Sequence, residues 1–453
     1  MKKFDYIIIG SGQAGIPLAF SLSKEGTVAI IEKGFLGGTC VNNGCIPTKA
    51  YVASARRVWD AFHGDDLGVE IPKGTKANLK KIKARKDVLV DESRSNIERA
   101  IKRDQKITLY HGEAHFLSNY EVKVGDTTLT AKKIFINVGA RAVVPEEYQE
   151  VPFYTNENIM EVTDIPKHLI IIGGSYIGLE FAQIFRRFGS EVTIIERNKQ
   201  LISREDQTVT DVVAEIMKAE GVNLVFNAKN ISIKESNKEG ITLAIDTKEI
   251  KGSHLLLAIG RAPNTDTLRL EHTTIQLDDK KYIKVNNYCQ TNVEGVFAIG
   301  DCNGEGAFTH TSYNDFQIVE SFLFKQKERK ISDRIPTYGL FIDPPLGRIG
   351  MTKKEALEKG HDILVGYRPM TKVNRAKEKA ETLGFMEAVI DAKTNLFLGA
   401  CIFGVGGDEI INGITNLMYA KKPYTVLRDS IHIHPTVSEL IPTMLQDLKP
   451  IAK

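Results

Sequence analysis

Apolar residues near the amino end of the chain fall into two short runs that flank a glycine-rich turn. Residues 5–33 (DYIIIGSGQAGIPLAFSLSKEGTVAIIEK) predict a buried strand, a turn, a helix and a second buried strand. Gly10, Gly12 and Gly15 fit the pattern GxGxxG, and Glu32 closes the second strand. This order is typical of a dinucleotide-binding fold, in which the glycines let the backbone approach a pyrophosphate and the acid hydrogen-bonds a ribose hydroxyl.

The same pattern of apolar and polar positions recurs in residues 168–197 (HLIIIGGSYIGLEFAQIFRRFGSEVTIIER). Gly173 and Gly178 occupy the turn, Ser175 stands where the middle glycine is expected, and Glu196 ends the second strand. Because each copy has its strand, helix and terminal acid, we favour two bound dinucleotides over two purely structural turns.

The composition sets limits on the partners of the protein. The chain has 453 residues, 42% of them hydrophobic, which predicts a globular protein of about three domains. A net charge of +3 gives no reason to expect nucleic acid as a partner. No apolar run approaches the roughly 18 residues that span a bilayer, and the first run leads into a glycine turn rather than a cleavage site. We therefore expect a cytoplasmic protein with no membrane partner.

Two of the five cysteines lie close together in residues 37–49 (GGTCVNNGCIPTK). Stable structural disulfides are rare in the cytoplasm, so a close pair there suggests redox chemistry. The other cysteines are scattered, so a zinc site has little support, no metal is expected, and buried inert thiols are the default for Cys289, Cys302 and Cys401.

The spacing of Cys40 and Cys45 predicts a bend between them. Residues five apart in a regular helix have Cα atoms about 8–9 Å apart, whereas a disulfide needs about 4.4–6.8 Å. Residues 42–44 (NNG) tolerate a bend, and Pro47 favours a helix that starts just after Cys45. The helix dipole would then keep Cys45 as a thiolate and leave Cys40 to attack the substrate. Together with two dinucleotides, the pair suggests a circuit from nicotinamide to flavin to disulfide.

In this order, the motifs resemble those of the class I, FAD-dependent pyridine nucleotide–disulfide oxidoreductases, a family that includes dihydrolipoamide dehydrogenase, glutathione reductase and mercuric reductase. The resemblance rests on the cysteine segment, both dinucleotide motifs, GVFAIGDCNG (295–304) and HPTVSE (434–439). It implies an α/β fold with two Rossmann-like dinucleotide-binding domains, for FAD and NAD(P), and a C-terminal α+β dimerisation domain. The implied domains are FAD-binding (1–150), NAD(P)-binding (151–268), central and FAD-contacting (269–335) and interface (336–453), and the implied assembly is a homodimer.

The resemblance also implies a role for individual residues. Cys40 matches the interchange thiol, Cys45 the thiol that faces the flavin, and Lys49 with Glu180 an ion pair beside the flavin. His434 and Glu439 match an acid–base dyad that one subunit gives to the disulfide of the other, where the carboxylate orients the imidazole that takes the proton of Cys40. The residues expected to contact the cofactors are Gly10, Gly12, Gly15, Glu32, Gly38, Thr39, Lys49, Ala114, Gly139, Gly173, Tyr176 (the gate over the nicotinamide pocket), Gly178, Glu196, Gly260, Gly300 and Asp301.

Some assignments stay open at this stage. Glu196 favours NADH, because an acid there repels a 2′-phosphate, while the adjacent Arg197 would tolerate NADPH. His310 falls near an Ala-His of the dihydrolipoamide dehydrogenases without a defined role, and His432 is a second candidate base.

The subgroup also has alternatives. The cysteine segment and FIDPPLGRIGMT (341–352) resemble mercuric reductase-like proteins and the bacterial reactive-chlorine-resistance and hypothiocyanous acid reductases, yet the chain has no cysteine after Cys401 to match the C-terminal pair of mercuric reductases. We expect an enzyme that uses NAD(P)H to reduce a small thiol-reactive oxidant, disulfide or metal species. The alternatives are a dihydrolipoamide dehydrogenase and a redox-sensing flavoprotein.

Overall fold

The structure is a computed structural model that describes residues 1–72, 74–237, 240–246, 248–326 and 328–451. Its helices, in chain order, are α1 (Gly15–Leu22), α2 (Gly38–Asn42), α3 (Cys45–Phe62), α4 (Leu79–Arg103), α5 (Tyr176–Phe188), α6 (Gln207–Ala219), α7 (Thr309–Leu323), α8 (Lys353–Glu358), α9 (Asn374–Glu378), α10 (Gly407–Tyr419), α11 (Thr425–Arg428) and α12 (Leu440–Gln446).

The strands, in chain order, are β1 (Lys2–Lys3), β2 (Tyr6–Ile9), β3 (Val28–Glu32), β4 (Ile107–His111), β5 (Ala114–Ser118), β6 (Glu121–Val124), β7 (Thr127–Thr130), β8 (Lys133–Ile136), β9 (Ala140–Ala142), β10 (His168–Ile172), β11 (Glu191–Ile195), β12 (Asn223–Val225), β13 (Ile231–Asn237), β14 (Gly240–Ile245), β15 (Lys248–Gly252), β16 (His254–Leu257), β17 (Arg261–Pro263), β18 (Val296–Ala298), β19 (Thr337–Leu340), β20 (Leu346–Gly350), β21 (Ile363–Pro369), β22 (Phe385–Asp391), β23 (Phe397–Phe403) and β24 (Lys449–Pro450).

Two parallel sheets form the centres of the dinucleotide folds. The first has the order β18-β8-β2-β3-β4, and the second has the order β12-β11-β10-β16. The central strands β2, β3, β10 and β11 are rich in Ile and Val because both faces of these strands are largely buried. The segment 269–335 contributes β18 to the first sheet, while the domain limits stay predictions.

Antiparallel strands build the rest of the molecule. Strands β5, β6 and β7 form a meander beside the first sheet, and β13, β14 and β15 form one beside the second. The carboxy-terminal region carries a sheet of order β19-β20-β23-β22-β21-β24 with α10 and α12 packed on it. The predicted fold class, α/β with two Rossmann-like units and a C-terminal α+β domain, is confirmed.

A shared core holds α3 against the second dinucleotide fold and the carboxy-terminal sheet. Tyr51 of α3, Phe185 of α5 and Phe403 of β23 belong to one buried cluster. Asp343, which precedes β20, accepts hydrogen bonds from Arg56 of α3 at 2.7 Å and Arg187 of α5 at 2.6 Å. These contacts fix the helix that begins at Cys45 relative to both regions.

Candidate active site

The glycine positions of the first turn, between β2 and α1, have little room for a side chain. Gly10 has φ +102°, and a Cβ there would lie 2.3 Å from the backbone oxygen of Asn137. A Cβ on Gly15 would lie 2.4 Å from the oxygen of Gly10, and one on Gly12 would lie 3.1 Å from Nδ2 of Asn137. Asn137 Nδ2 also donates a hydrogen bond to the oxygen of Gly10 at 3.1 Å. Asn137 directly follows β8 and stabilises this turn through its side chain. The sequence did not predict this role.

Glu32 and a second glycine turn complete this end of the cleft. Glu32 Oε2 accepts hydrogen bonds from the backbone nitrogen of Ser11 at 2.9 Å and from its hydroxyl at 2.7 Å. A Cβ on Gly38 would lie 2.9 Å from the Cα of Gly12, so the two turns touch through bare backbone. A carboxylate at the end of β3 and a cradle free of side chains at the start of α1 fit the ribose and pyrophosphate of a dinucleotide.

The second fold repeats this geometry. Gly173 has φ +109°, and a Cβ on Gly178 would lie 2.0 Å from the oxygen of Gly173. Buried Glu196 accepts hydrogen bonds from the backbone nitrogen of Gly174 at 2.8 Å and from that of Asn198 at 2.8 Å. The predicted acid therefore stands at the carboxyl end of β11, next to the turn that begins α5.

The cysteine segment bends as its spacing predicts. Helix α2 ends before Asn43, and α3 begins at Cys45 itself, one residue earlier than expected, because the oxygen of Gly44 accepts the hydrogen bond from Thr48. A Cβ on Gly44 would lie 2.8 Å from the oxygen of Thr39, which explains the glycine at the bend. Both cysteines of the pair are free thiols in this structure, and they hydrogen-bond each other.

The surroundings of the pair place the negative charge on Cys45. The pKa of Cys45 is lowered to about 6, mainly by a hydrogen bond from Cys40 and then by the Thr309 hydroxyl and the charge of Lys49, while burial opposes the shift. Cys40 must keep its proton to donate this hydrogen bond, so the bond raises the pKa of Cys40 well above its usual range. Thr309 Oγ1 lies 3.1 Å from Cys45 Sγ. The sequence reading missed Thr309, since no local pattern marks a residue at the start of α7 as a neighbour of α3.

Lys49 and Glu180 form the predicted ion pair beside the cysteines. Lys49 lies one helical turn after Cys45 on the same face of α3, and its Nζ is 2.7 Å from Glu180 Oε2. The backbone nitrogen of Phe341 donates to Glu180 Oε1 at 3.1 Å, and Lys49 Nζ lies 4.3 Å from the centroid of the Phe341 ring. Glu180 is buried, so this amide and the ammonium hold its charge.

Aromatic rings surround the start of α5. Tyr176 makes edge contacts with Phe308 at 5.9 Å and Tyr338 at 5.3 Å between ring centroids, and burial raises the pKa of its phenol to about 12. The His310 ring stacks on Phe308, and its Nε2 lies 2.6 Å from the oxygen of Thr337. His310 is thus held in this ring cluster by its ring stacking and by a backbone carbonyl.

Asp301 lies where the two dinucleotide folds meet. Burial raises the pKa of its carboxyl, while Arg261 Nη2, 3.4 Å away, opposes that shift. Gly300, with φ +73°, begins the turn that carries Asp301. Gly139 and Gly260 directly precede β9 and β17, which pair antiparallel and join the two folds.

A cleft of about 2690 Å³ brings these parts together. It exceeds the roughly 300–1,000 Å³ of a site for one small ligand, as two dinucleotides would require. The predicted residues that line it are Gly10, Gly12, Glu32, Gly38, Thr39, Cys40, Cys45, Lys49, Ala114, Gly139, Gly173, Tyr176, Glu180, Glu196, Gly260 and Asp301. The predicted glycines Gly15, Gly178 and Gly300 do not line the cleft. They lie where their turns pack closely against neighbouring backbone or side-chain atoms.

His434 and Glu439 form a hydrogen bond of 2.8 Å between Nδ1 and Oε2, away from this cleft. Neither is among the described residues that line the cleft. The His434 side chain is 74% exposed, and Ile431 and Ile433 beside it are also exposed. One chain alone therefore does not bring the predicted dyad to its own cysteines. His432 has a buried Nε2 without a hydrogen-bond partner in the described structure.

Within the described residues, no group of three or more His, Cys, Asp or Glu side chains is arranged to hold a metal ion. None of the helices in the described part of the chain is long and apolar enough to cross a membrane.

Comparisons with known proteins agree with this geometry. Residues 4–315 match the family model "Pyridine nucleotide-disulphide oxidoreductase", and residues 336–445 match its dimerisation domain. The probable pyridine nucleotide-disulfide oxidoreductase RclA of Escherichia coli is 36% identical over 97% of this chain and 98% of its own. Mercuric reductase of Staphylococcus aureus is 29% identical over 96% of this chain and 81% of its own, and dihydrolipoyl dehydrogenase of Geobacillus stearothermophilus is 29% identical over 96% and 94%.

Solved structures give the same relationship. The HOCl-induced flavoprotein disulfide reductase RclA from Escherichia coli superposes with a TM-score of 0.89 and 33% identity over 98% of this chain and 100% of that chain. A Cu(II) complex of the same protein superposes equally well, over 98% of this chain and 99% of that one.

Proposed function

The chain belongs to the pyridine nucleotide-disulphide oxidoreductases, and on that basis we propose that it passes electrons from NAD(P)H through FAD to Cys40 and Cys45, and from them to a small thiol-reactive oxidant or disulfide. The family membership makes it a flavoprotein oxidoreductase that works with FAD and NAD(P)H. The observation that carries the proposal is the pair of thiols at the bend between α2 and α3, in a cleft shared with both glycine turns.

The residues of the cleft fit the two cofactors. The turn at Gly10 and the carboxylate of Glu32 suit the FAD pyrophosphate and ribose, and the turn at Gly173 with Glu196 suits NAD(P)H. When bound, FAD supplies the two-electron link between the nicotinamide and the cysteine pair.

The chemistry of the pair is thiol–disulfide exchange. Cys40 loses its proton to His434 of the partner subunit, and its sulfur attacks the acceptor, breaking the S–S or S–X bond and releasing a leaving group that takes up a proton. The Cys45 thiolate then attacks the sulfur of Cys40, which releases the second product and leaves a Cys40–Cys45 disulfide. The acceptor gains two electrons from the pair, and two electrons from NAD(P)H restore the dithiol.

A homodimer supports this assignment of the base. The dimerisation domain matches residues 336–445, and the dyad lies in that region, exposed and away from its own cleft. In a homodimer the dyad of one subunit can act on the cysteines of the other, although it lies away from the cysteines of its own chain.

Steady-state turnover with a panel of acceptors tests the function. We expect NADH oxidation with hypothiocyanite or a small disulfide to be fast in the holoenzyme and lost in Cys40→Ser, with Cys401→Ala, a thiol buried in β23, as the control. Lipoamide reduction that outruns every other acceptor would favour the dihydrolipoamide dehydrogenase alternative. Absence of turnover with all acceptors would favour a redox sensor.

A further inference from the structure

Thr309 is the first residue of α7, and its hydroxyl reaches the sulfur of Cys45 on α3. The distance of 3.1 Å between Thr309 Oγ1 and Cys45 Sγ is that of a direct hydrogen bond. We propose that Thr309 is a positioning residue whose hydroxyl donates to the Cys45 thiolate and so keeps the charge of the reduced pair on Cys45 rather than on Cys40. This inference rests on the proposed function, in which Cys45 is the thiolate of the pair.

The direction of the hydrogen bond follows from the chemistry of the partners. A thiolate carries no proton and can only accept, so the hydroxyl must be the donor. A donor to an anion makes a stronger bond than one to a neutral thiol, and therefore stabilises the deprotonated state of Cys45.

Two other groups that face Cys45 also stabilise its thiolate, and the larger contribution comes from Cys40. Lys49, on the same helix, is positive but is paired at 2.7 Å with Glu180 of α5, whose negative charge opposes it. Cys40 of α2 donates its S–H to Cys45 in the reduced pair. Thr309 is thus a direct donor that no counter-ion offsets.

The hydroxyl matters most when Cys40 is bonded to the acceptor. In that mixed disulfide Cys40 has no proton left to donate, while Cys45 must be a thiolate in order to attack the sulfur of Cys40. The Thr309 hydroxyl also faces Cys40, but Cys40 carries no charge in the mixed disulfide, so Cys45 is then the thiolate to which Thr309 donates. Loss of the hydroxyl should therefore slow the release of the second product.

The pKa of Cys45 in the holoenzyme tests the proposal. In a Cys40→Ala background Cys45 has no donor from Cys40, and its titration can be followed by the long-wavelength absorption of a thiolate beside oxidised flavin. We expect Thr309→Val, which keeps the side-chain shape, to raise the midpoint by about one to two units, the size of a hydrogen bond to a charged group. Thr309→Ser should restore it.

The control is Thr48→Val, the same change three residues after Cys45. The Thr48 hydroxyl faces Met160 Sδ at 4.0 Å instead of the cysteines, so its loss should leave the midpoint unchanged. The pH dependence of Cys45 alkylation by iodoacetamide, followed by mass spectrometry, measures the same pKa without the absorption band. If Thr309→Val fails to retain FAD, Thr309→Ala serves in its place.

The outcomes separate this inference from the function. A midpoint within about 0.3 units of the parent, or a serine variant that does not restore it, would overturn the role of Thr309 and leave the function standing. If the parent shows no thiolate band at any pH and Cys45→Ser turns over normally, both fail, because Cys45 is then not the thiolate.

Discussion

The separation of His434 from its own cleft predicts that activity depends on a dyad given across the dimer interface. Replacing His434 with alanine removes the proton acceptor for Cys40, and general acid–base help is worth about 10²–10⁴-fold. Reduction of the bound flavin by NADH should stay nearly normal, because the dyad is proposed to act on the proton of Cys40 and not on the nicotinamide. Rapid mixing can time the two half-reactions separately.

The carboxylate of Glu439 gives a smaller, calculable effect. It accepts from His434 Nδ1 at 2.8 Å, and its side chain is 17% exposed. Losing a hydrogen bond to a charged group costs about 1.5–3 kcal/mol, which corresponds to about 10- to 150-fold in rate. Glu439→Ala removes this hydrogen bond, so electron transfer to the oxidant should slow by a factor in this range, which is less than the loss in His434→Ala.

Mixed dimers decide whether the dyad acts across subunits. A dimer with one Cys40→Ser chain and one His434→Ala chain would contain one complete site if the dyad is given in trans, and none if it is given in cis. We expect this dimer, purified with two different tags, to recover about half of the wild-type turnover, while each parental dimer stays near background. Recovery no greater than the sum of the parents, or a fully active monomer, would refute the reasoning.

Three further predictions concern the cofactor and the acceptor. Gly178→Ala places a Cβ 2.0 Å from the oxygen of Gly173, in the turn expected to bind NADH. We expect the variant to keep its FAD, which dithionite should still reduce, but to lose reduction by NADH. Reduction by NADH at the normal rate would contradict this prediction. The kcat/KM should be higher for NADH than for NADPH, because buried Glu196 repels a 2′-phosphate. Glu196→Ala should reduce this preference for NADH. A strong preference of the wild type for NADPH would overturn the assignment. Turnover with Hg(II) should be slower than turnover with hypothiocyanite. Delivery of Hg(II) to Cys40 and Cys45 needs further accessible cysteines, whereas Cys289, Cys302 and Cys401 are buried. Rapid multiple turnover with Hg(II) would disprove the argument.

The sequence by itself determined the parts of the site that depend on local backbone. Gly10 and Gly173 were readable because each turn needs a positive φ and no Cβ, and Glu32 and Glu196 because each ends a short apolar strand. The bend at Gly44 followed from a distance requirement between nearby residues. The overall architecture followed from the order of these motifs and their resemblance to a family.

The tertiary structure decided the contacts between segments distant in the chain. Asn137 beside the first turn, Phe341 against Lys49, and Thr309 against Cys45 each join residues that no periodicity links. Such contacts depend on how sheets and helices pack, and a side chain such as the Thr309 hydroxyl has no sequence signature of its own. The same packing placed His434 outside its own cleft, which the spacing of His434 and Glu439 could not reveal because that spacing fixes only their mutual hydrogen bond.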